Sequence, residues 1–222
     1  MRKNLLPEPV FTNSVGNVTV YQGDALLLLQ SLADGEEADG LFDMIFADPP
    51  YFLSNGGITC SNGRMVKVDK GVWDKSRGVD LNHEFNKQWL GACQRLLKPN
   101  GTIWISGTHH VIFSVGFAVQ ELGFKILNHI TWEKPNPPPN LSCRYFTHST
   151  ESIIWAGKND RTKHVFNYQQ MREANKGKQM KSVWPESREG SELWRLAAPT
   201  KEEKTHGRHP TQKPIGLLER CI

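Results

Sequence analysis

No hydrophobic run in this 222-residue sequence approaches the roughly 20 residues that a membrane-spanning helix needs. The start, Met1-Arg2-Lys3-Asn4-Leu5-Leu6-Pro7, is basic but lacks the apolar stretch of a secretory signal. Cysteine is scarce. Cys60, Cys93, Cys143 and Cys221 are scattered, with no spacing of the metal-binding kind. They are expected to be reduced, mostly buried thiols of a cytosolic protein. The eight histidines form no zinc pattern either, and His109-His110 reads as a strand-end loop. No Gly-x-Gly stands where a strand would turn into a helix. These absences argue against a membrane protein, a secreted disulfide scaffold and a metal centre.

What is present describes a globular protein: 38% hydrophobic and 23% charged residues. The length suits one α/β domain with an insertion, or two small domains. The net charge is +4, but it is unevenly spread. Residues 157–213 hold thirteen Lys and Arg against seven Asp and Glu, a net of +6, and the remainder carries fourteen against sixteen, a net of −2. A basic segment on a near-neutral body suggests a polyanionic partner; a lysine-rich solvated loop is the plainer alternative.

Strands are expected at Val18–Gln22, Phe42–Ala47, Thr102–Ser106, Phe124–Trp132 and Glu151–Ala156, and helices at Asp24–Leu32, Glu84–Leu97 and Val111–Leu122. The alternation β-α-β-α-β-β argues a mostly parallel, helix-covered sheet. The last two strands are placed to pair antiparallel across the proline-rich loop 135–140. Residues 52–78 are rich in Gly, Asn and Ser and read as a long loop. Beyond Lys158 the periodicity fades until Ile215, where a helix begins behind Pro214. The division that follows is a core over 1–158, an insertion over 159–208 and a return to the core over 209–222.

Asp48-Pro49-Pro50-Tyr51 follows directly on the strand Phe42–Ala47. Ligands of open α/β sheets bind beyond the carboxyl ends of strands. An acid, two prolines and an aromatic there make a rigid corner suited to one planar amine; a proline-stiffened turn is the plain alternative. An exocyclic amine on a nucleobase is a poor nucleophile because its lone pair is delocalised. Two acceptors aimed at its hydrogens, the Asp48 carboxylate and the Pro49 carbonyl, free that lone pair. A sulfonium donor, already activated by its charge, then needs mainly in-line positioning. Tyr51 offers a flat surface for an extruded base, and Phe52 adds to it; such a pocket implies base flipping. Asp24 follows the first strand, where its carboxylate either accepts from an adenine amine or ribose hydroxyl, or caps the next helix. Thr211, Gln212 and Lys213 stand at a helix start that either holds an anion or is a plain surface terminus.

The sequence resembles the amino-methylating DNA methyltransferases of the beta arrangement. The matching pieces are Asp48-Pro49-Pro50-Tyr51, the unit Leu97-Lys98-Pro99-Asn100-Gly101-Thr102-Ile103-Trp104-Ile105, and His209-Pro210-Thr211-Gln212-Lys213-Pro214, in that order over nearly the whole chain. The resemblance implies a Rossmann-like, S-adenosylmethionine-dependent methyltransferase fold with an inserted target-recognition region, and no metal. It implies that Asp24, with Ala25 beside it, meets the adenosine end of the donor, that Thr211, Gln212 and Lys213 hold its carboxylate, and that Asp48 borders donor and target. The stretches 52–57 and 140–149 look most like adenine methylases of GATC-type restriction–modification systems. Asp rather than Ser at the head of the corner leans toward adenine over cytosine. The implied partners are DNA, a second copy of the chain and a cognate restriction endonuclease, in a prokaryotic or phage-like cytoplasm close to the nucleoid.

Candidate DNA contacts are Phe52, Arg144, Arg161, Arg172, Lys178, Lys181 and Arg188, with Arg195 beside them. The family's glycine-rich donor loop, expected after the final helix, does not appear before Ile222. The expectation is an N-terminal portion that binds donor weakly, leaves a sheet edge uncovered and tends to associate. Cytosine-amino methylation, methylation of RNA or a protein amide, and a non-catalytic nucleic-acid-binding fragment are the rival readings.

Overall fold

The protein is described by a computed structural model covering residues 6–35, 40–61, 64–134, 137–184, 199–205, 207, 209 and 211–222. Its strands are β1 (Phe11–Thr12), β2 (Thr19–Val20), β3 (Phe42–Ala47), β4 (Ile58–Ser61), β5 (Arg64–Lys67), β6 (Leu97–Gly107), β7 (Lys125–Glu133), β8 (Thr150–Gly157) and β9 (Val183–Trp184). Its helices are α1 (Ala25–Ala33), α2 (Val79–Leu96), α3 (Ile112–Glu121), α4 (Tyr168–Ala174) and α5 (Ile215–Cys221).

Five strands form the main sheet in the order β3-β6-β8-β7-β9. β3 runs parallel to β6, and β7 parallel to β9; β8 runs antiparallel to both its neighbours. Four of the five strands therefore point one way, and β7–β8 is the expected antiparallel hairpin. β9 extends the sheet past that hairpin.

Side chains alternate across a strand, so each strand feeds two cores. Ile45, Ala47, Ile103, Ile105, Ile154 and Ala156 face a helical layer that buries Leu90, Cys93, Val115 and Val119. In that layer α1 packs on α2 and α2 on α3. Met44, Phe46, Trp104, Ile153 and Trp155 face the opposite side, where Leu217 and Cys221 of α5 and Trp184 of β9 close over them. Trp104 and Trp155 stack at 4.7 Å between ring centres. Gly101 lets β3 and β6 approach: a Cβ there would stand 2.9 Å from the Phe42 carbonyl oxygen. Cys93 and Cys221 are buried free thiols, each pushed up to about 12 by that burial, whereas Cys143 is exposed.

Several expectations are corrected. The strand expected at Val18–Gln22 does not join the main sheet. It shortens to β2 and, among the described residues, pairs only with β1, and both strands are exposed along their length. Val18 and Val20 are about half exposed, as are Val10 and Phe11 beside them, so the apolar side chains of this pair remain largely in solvent. The stretch 52–78 is not a plain loop: it carries the β4–β5 hairpin and a 3₁₀ turn at Val72–Asp74. Asn62-Gly63 between two β-prone stretches is a hairpin signal in the sequence itself. α2 starts at Val79 rather than Glu84. The tract beyond Lys158 contains α4 and β9. Among the described residues β3 has β6 as its one neighbour in the sheet.

Candidate active site

The parallel register pairs Ala47 with Ile105, which brings the ends of β3 and β6 side by side. Asp48 leaves β3 there, and Ser106 is the next residue of β6. The Ser106 hydroxyl donates to Asp48 Oδ1 at 2.7 Å. The Tyr51 hydroxyl donates to the same oxygen at 2.9 Å and lies 3.1 Å from Ser106 Oγ. Lys213 comes from the far end of the chain, and its Nζ stands 2.8 Å from both Asp48 oxygens. The lysine side chain is 10% exposed and the Asp48 side chain 31%. Among the described residues Oδ1 thus accepts from three groups and Oδ2 from Lys213 alone. Oδ2 is the oxygen with acceptor capacity to spare.

Tyr51 is 7% exposed. Burial, and then the Asp48 carboxylate, push its hydroxyl well above the usual tyrosine range, so it remains a proton donor. The ammonium of Lys213 stands 5.0 Å from its ring centre, a cation–π distance. Tyr51 is therefore a wall of the site with a cation beside it.

A cavity of about 290 Å³ opens in front of this corner. Asp48, Pro49, Pro50 and Tyr51 line it, together with Lys70, Trp73 and Asp74 from the stretch before α2 and His209 and Thr211 from the stretch before α5. Pockets for small ligands begin near this size, so it suits one planar base better than a pair. Behind the corner, Glu151 pairs with Lys134 at 3.0 Å. The second Glu151 oxygen is buried and has no hydrogen-bond partner among the described residues. Lys134 also stands over the Trp132 ring at 3.3 Å, and burial holds its ammonium below the usual lysine value despite Glu151.

The other expected residues are distributed as follows. Asp24 caps α1: its side chain accepts from the backbone N–H groups of Leu26 and Leu27 at 2.9 and 3.1 Å, with Ala25 the first helical residue. Neither lines the cavity. Thr211 lines it, and its backbone N–H donates to His209 Nδ1 at 3.3 Å. Gln212 donates to the Glu203 carbonyl at 2.8 Å. The first turn of α5 already has an anion, because the Ile215 N–H donates to Glu203 Oε1 at 3.0 Å. Phe52 has φ +57° and packs edge-to-face on Phe85, with ring centres 6.1 Å apart, so it points toward the core. Arg144, Arg161, Lys178 and Lys181 are exposed. Arg172 is engaged within the protein: Nε and Nη2 donate to the Gly177 carbonyl at 3.1 and 2.9 Å, closing the end of α4. Arg188 and Arg195 lie outside the described residues. His109 and His110 sit in the turn after β6, and His109 stacks on His148 at 4.0 Å. Among the described residues no group of three His, Cys, Asp or Glu is arranged to hold a metal ion.

Sequence reasoning missed the parts played by Trp73, Asp74 and His209. The only signal for the first two was an isolated aromatic–acid pair just after Lys70-Gly71, in a stretch read as loop.

A family model described as DNA methylase matches residues 42–222. The chain is 59% identical over 181 residues to the Type II methyltransferase M2.DpnII of Streptococcus pneumoniae, covering 81% of this chain and 64% of that protein. It is 50% identical over 219 residues to the Type II methyltransferase M2.LlaDCHI of Lactococcus lactis subsp. cremoris, covering 98% of this chain and 75% of that protein. Among solved structures, the M1.HpyAVI–SAM complex superposes with a TM-score of 0.54 at 25% identity, over 91% of this chain and 74% of that one.

Proposed function

The chain belongs to the DNA methylase family, and from that premise we propose that it moves a methyl group from S-adenosylmethionine to the exocyclic amino group of adenine in DNA, as the modifying partner of a restriction endonuclease. The observation that carries this reading is the Asp48 carboxylate at the end of β3, lining an open cavity of about 290 Å³, with Oδ1 anchored by Ser106 and Tyr51.

The residues at hand fit such a donor. A cationic sulfonium carrying an ammonium group suits the two carboxylates, Asp48 and Glu151, and among the described residues one buried Glu151 oxygen has no partner. Thr211, Gln212 and Lys213 would hold its carboxylate, Asp24 and Ala25 its adenosine, with Asp48 at the boundary to the target. When bound, S-adenosylmethionine supplies an electrophilic methyl group on a positively charged sulfur.

The chain's own task is to make the amine a nucleophile. Asp48 Oδ2 and the Pro49 carbonyl accept from the two amine hydrogens and favour the developing ammonium over the neutral amine. Ser106 and Tyr51 fix the Asp48 rotamer. Lys213 holds the carboxylate in place and shares Oδ2 with the incoming amine. Residues 1–158 serve as the catalytic core and 209–222 complete it. Residues 159–208 serve as the target-recognition insertion, rooted in the core through Trp184 and through Thr162, whose hydroxyl lies 3.4 Å from the Pro99 carbonyl oxygen. Arg144, Arg161, Lys178 and Lys181 supply phosphate or base contacts. DNA, double- or single-stranded, approached by two copies of the chain in a bacterial or phage-infected cytoplasm suits this reading. No helix among the described residues is long and apolar enough to cross a membrane.

The test is methyl transfer from labelled S-adenosylmethionine to unmethylated DNA, followed by mass spectrometry of the nucleosides, beside an Asp48→Ala control. N6-methyladenine that disappears in the control supports the reading. Methyl on cytosine or on RNA would replace the substrate, and DNA binding without transfer would favour a binding module.

A further inference from the structure

The 3₁₀ turn before α2 is inside out. Of its three residues, Val72 is 81% exposed and Trp73 50%, while Asp74 is 1% exposed. Burial usually sorts such residues the other way, and a carboxylate enters an interior only where its oxygens are satisfied. Among the described residues, the donors to Asp74 carry no charge. Oδ1 accepts from the Tyr51 N–H at 3.0 Å. Oδ2 accepts from the Leu53 N–H at 3.2 Å and the Ser54 hydroxyl at 2.8 Å. The Asp74 carbonyl accepts from the Ser54 N–H at 3.1 Å, and Ser54 Oγ accepts from the Lys70 N–H at 2.7 Å. This clasp ties the turn to the backbone of the corner, and hydrogen bonds to a carboxylate are the strong, directional kind.

The two oxygens divide the work. Oδ2 anchors the loop through Leu53 and Ser54. Oδ1 holds the Tyr51 N–H, which lies in the rigid peptide plane joining Pro50 to Tyr51. The Pro49 carbonyl lies in the plane before it, joining Pro49 to Pro50. Only φ and ψ of Pro50 stand between these planes, and the proline ring locks φ. A grip on the Tyr51 N–H therefore restricts the remaining angle, and with it the direction of the Pro49 carbonyl. The far end of Tyr51 is held as well, since its hydroxyl donates to Asp48 Oδ1 at 2.9 Å.

We propose that Asp74 is a positioning residue for methyl transfer: through the Tyr51 N–H it sets the direction of the Pro49 carbonyl, the second acceptor for the target amine. The inference rests on the reading of the corner given above. Ser106, Tyr51 and Lys213 align the Asp48 carboxylate, and Asp74 aligns the Pro49 carbonyl, so the two acceptors have separate supports. The Asp74 oxygens are committed to the corner's backbone and to Ser54, so the residue acts through the corner.

The experiment compares Asp74→Ala, Asp74→Asn and Ser54→Ala in single-turnover methyl transfer to unmethylated DNA, with donor and DNA saturating, at a temperature where circular dichroism shows each protein folded. The chain has four tyrosines, so labelling tyrosine alone with nitrogen-15 gives a spectrum simple enough to follow the Tyr51 amide. For Asp74→Ala the expected result is a displaced Tyr51 peak and a transfer rate about 10- to 100-fold lower, as for a misplaced reacting geometry. Ser54→Ala removes one donor to Oδ2 and the acceptor of the Lys70 N–H but leaves the Tyr51 N–H on Oδ1. It should keep the peak in place and the rate within about twofold of wild type. DNA affinity should be unchanged in all three. Asp74→Asn preserves the side-chain volume and carries the test if Asp74→Ala does not fold; its rate should fall to the extent that its Tyr51 peak moves. Equal losses of rate in Asp74→Ala and Ser54→Ala would reduce Asp74 to a loop anchor and overturn the inference. A rate near wild type in Asp74→Ala, or a lower rate with an unmoved Tyr51 peak, would overturn it too. No transfer by the wild-type chain would overturn the functional reading, and the inference would fall with it.

Discussion

Around Asp48 the polar side chains are hidden and committed to one another: Ser106, Tyr51 and Asp74 are each less than 8% exposed, and the Lys213 side chain is 10% exposed. Along 159–184 the opposite holds, with Arg161, Lys163, Lys176, Lys178 and Lys181 all in solvent. The first arrangement fixes one geometry, since a buried polar group that loses its partner has no water to replace it. The second tolerates change, because exposed charges act at a distance and are screened by salt. Chemistry that depends on the direction of a lone pair belongs in the first kind of region. Attraction of a flexible polyanion belongs in the second.

The sharpest way to break this contrast is Asp48→Ala. It removes the acceptor shared by Ser106, Tyr51 and Lys213, and a loss of transfer of at least about 100-fold is expected, in line with removal of a preorganised electrostatic group. DNA binding should change little, because the basic segment is untouched. Incorporation of labelled methyl beside a filter-binding isotherm checks both halves. Asp74→Ala comes next and strikes stability as well as activity. It leaves the Tyr51 N–H, the Leu53 N–H and the Ser54 hydroxyl without their acceptor, a cost of about 3 kcal/mol for several buried donors together. Urea unfolding should show a lower midpoint. Asp74→Asn keeps one carbonyl acceptor and should recover part of the loss; a midpoint unchanged in both variants would remove Asp74 from the clasp.

The basic segment calls for a smaller and different effect. Lys178 and Lys181 have exposed side chains. If each neutralises one phosphate, changing both to Gln should lessen the slope of log K against log salt by about 1.8, at about 0.9 per contact, without affecting unfolding. Arg172→Gln should behave in reverse. Its guanidinium closes the end of α4 on the Gly177 carbonyl, so local stability should fall while the salt slope stays nearly the same. An unchanged slope for the lysine pair would take those residues out of the interface.

The same contrast explains what could be read before any coordinates. Strands β3, β6, β7 and β8 and helices α1 to α3 carry strong apolar periodicity, and all were legible. The Asp48–Tyr51 corner was legible because prolines and an acid at a strand end are locally unusual. What escaped notice depends on contacts between residues far apart in sequence. Tyr51 and Asp74 are 23 positions apart, and Asp48 and Lys213 are 165 apart. No local pattern marks an acid as a buried clasp, and Asp74 reads like any loop acid. The strand expected at Val18–Gln22 failed for the converse reason: its alternation is real, but within the described chain it finds only β1 to pair with. Asp24 shows how one local signal serves two readings, since a helix cap and a ligand carboxylate look identical in sequence.

The smallest expected effect lies between the two regions, where the turn after β6 meets the loop that leads into β8. The rings of His109 and His110 lie 3.8 Å apart, His109 and His148 lie 4.0 Å apart, and Tyr145 stands 5.4 Å from His148. Partial burial, and then the neighbouring imidazoles, hold His109 and His110 below the usual value of 6.5. In the unfolded chain both take up protons at that usual value. The folded state resists protonation, so stability is full above about pH 6.5 and declines as the pH falls through that value toward the lower folded-state pKa. The fall should be slight, because both rings are largely exposed and solvent screens their repulsion. Melting curves at pH 7.5 and pH 5.5 should differ by a small downward shift, and His109→Gln should shrink that difference by breaking the stack at its centre. A variant with the same pH dependence as the wild type would place the titration elsewhere, and the stacked imidazoles would then be simple packing between the corner and the loop that carries Arg144.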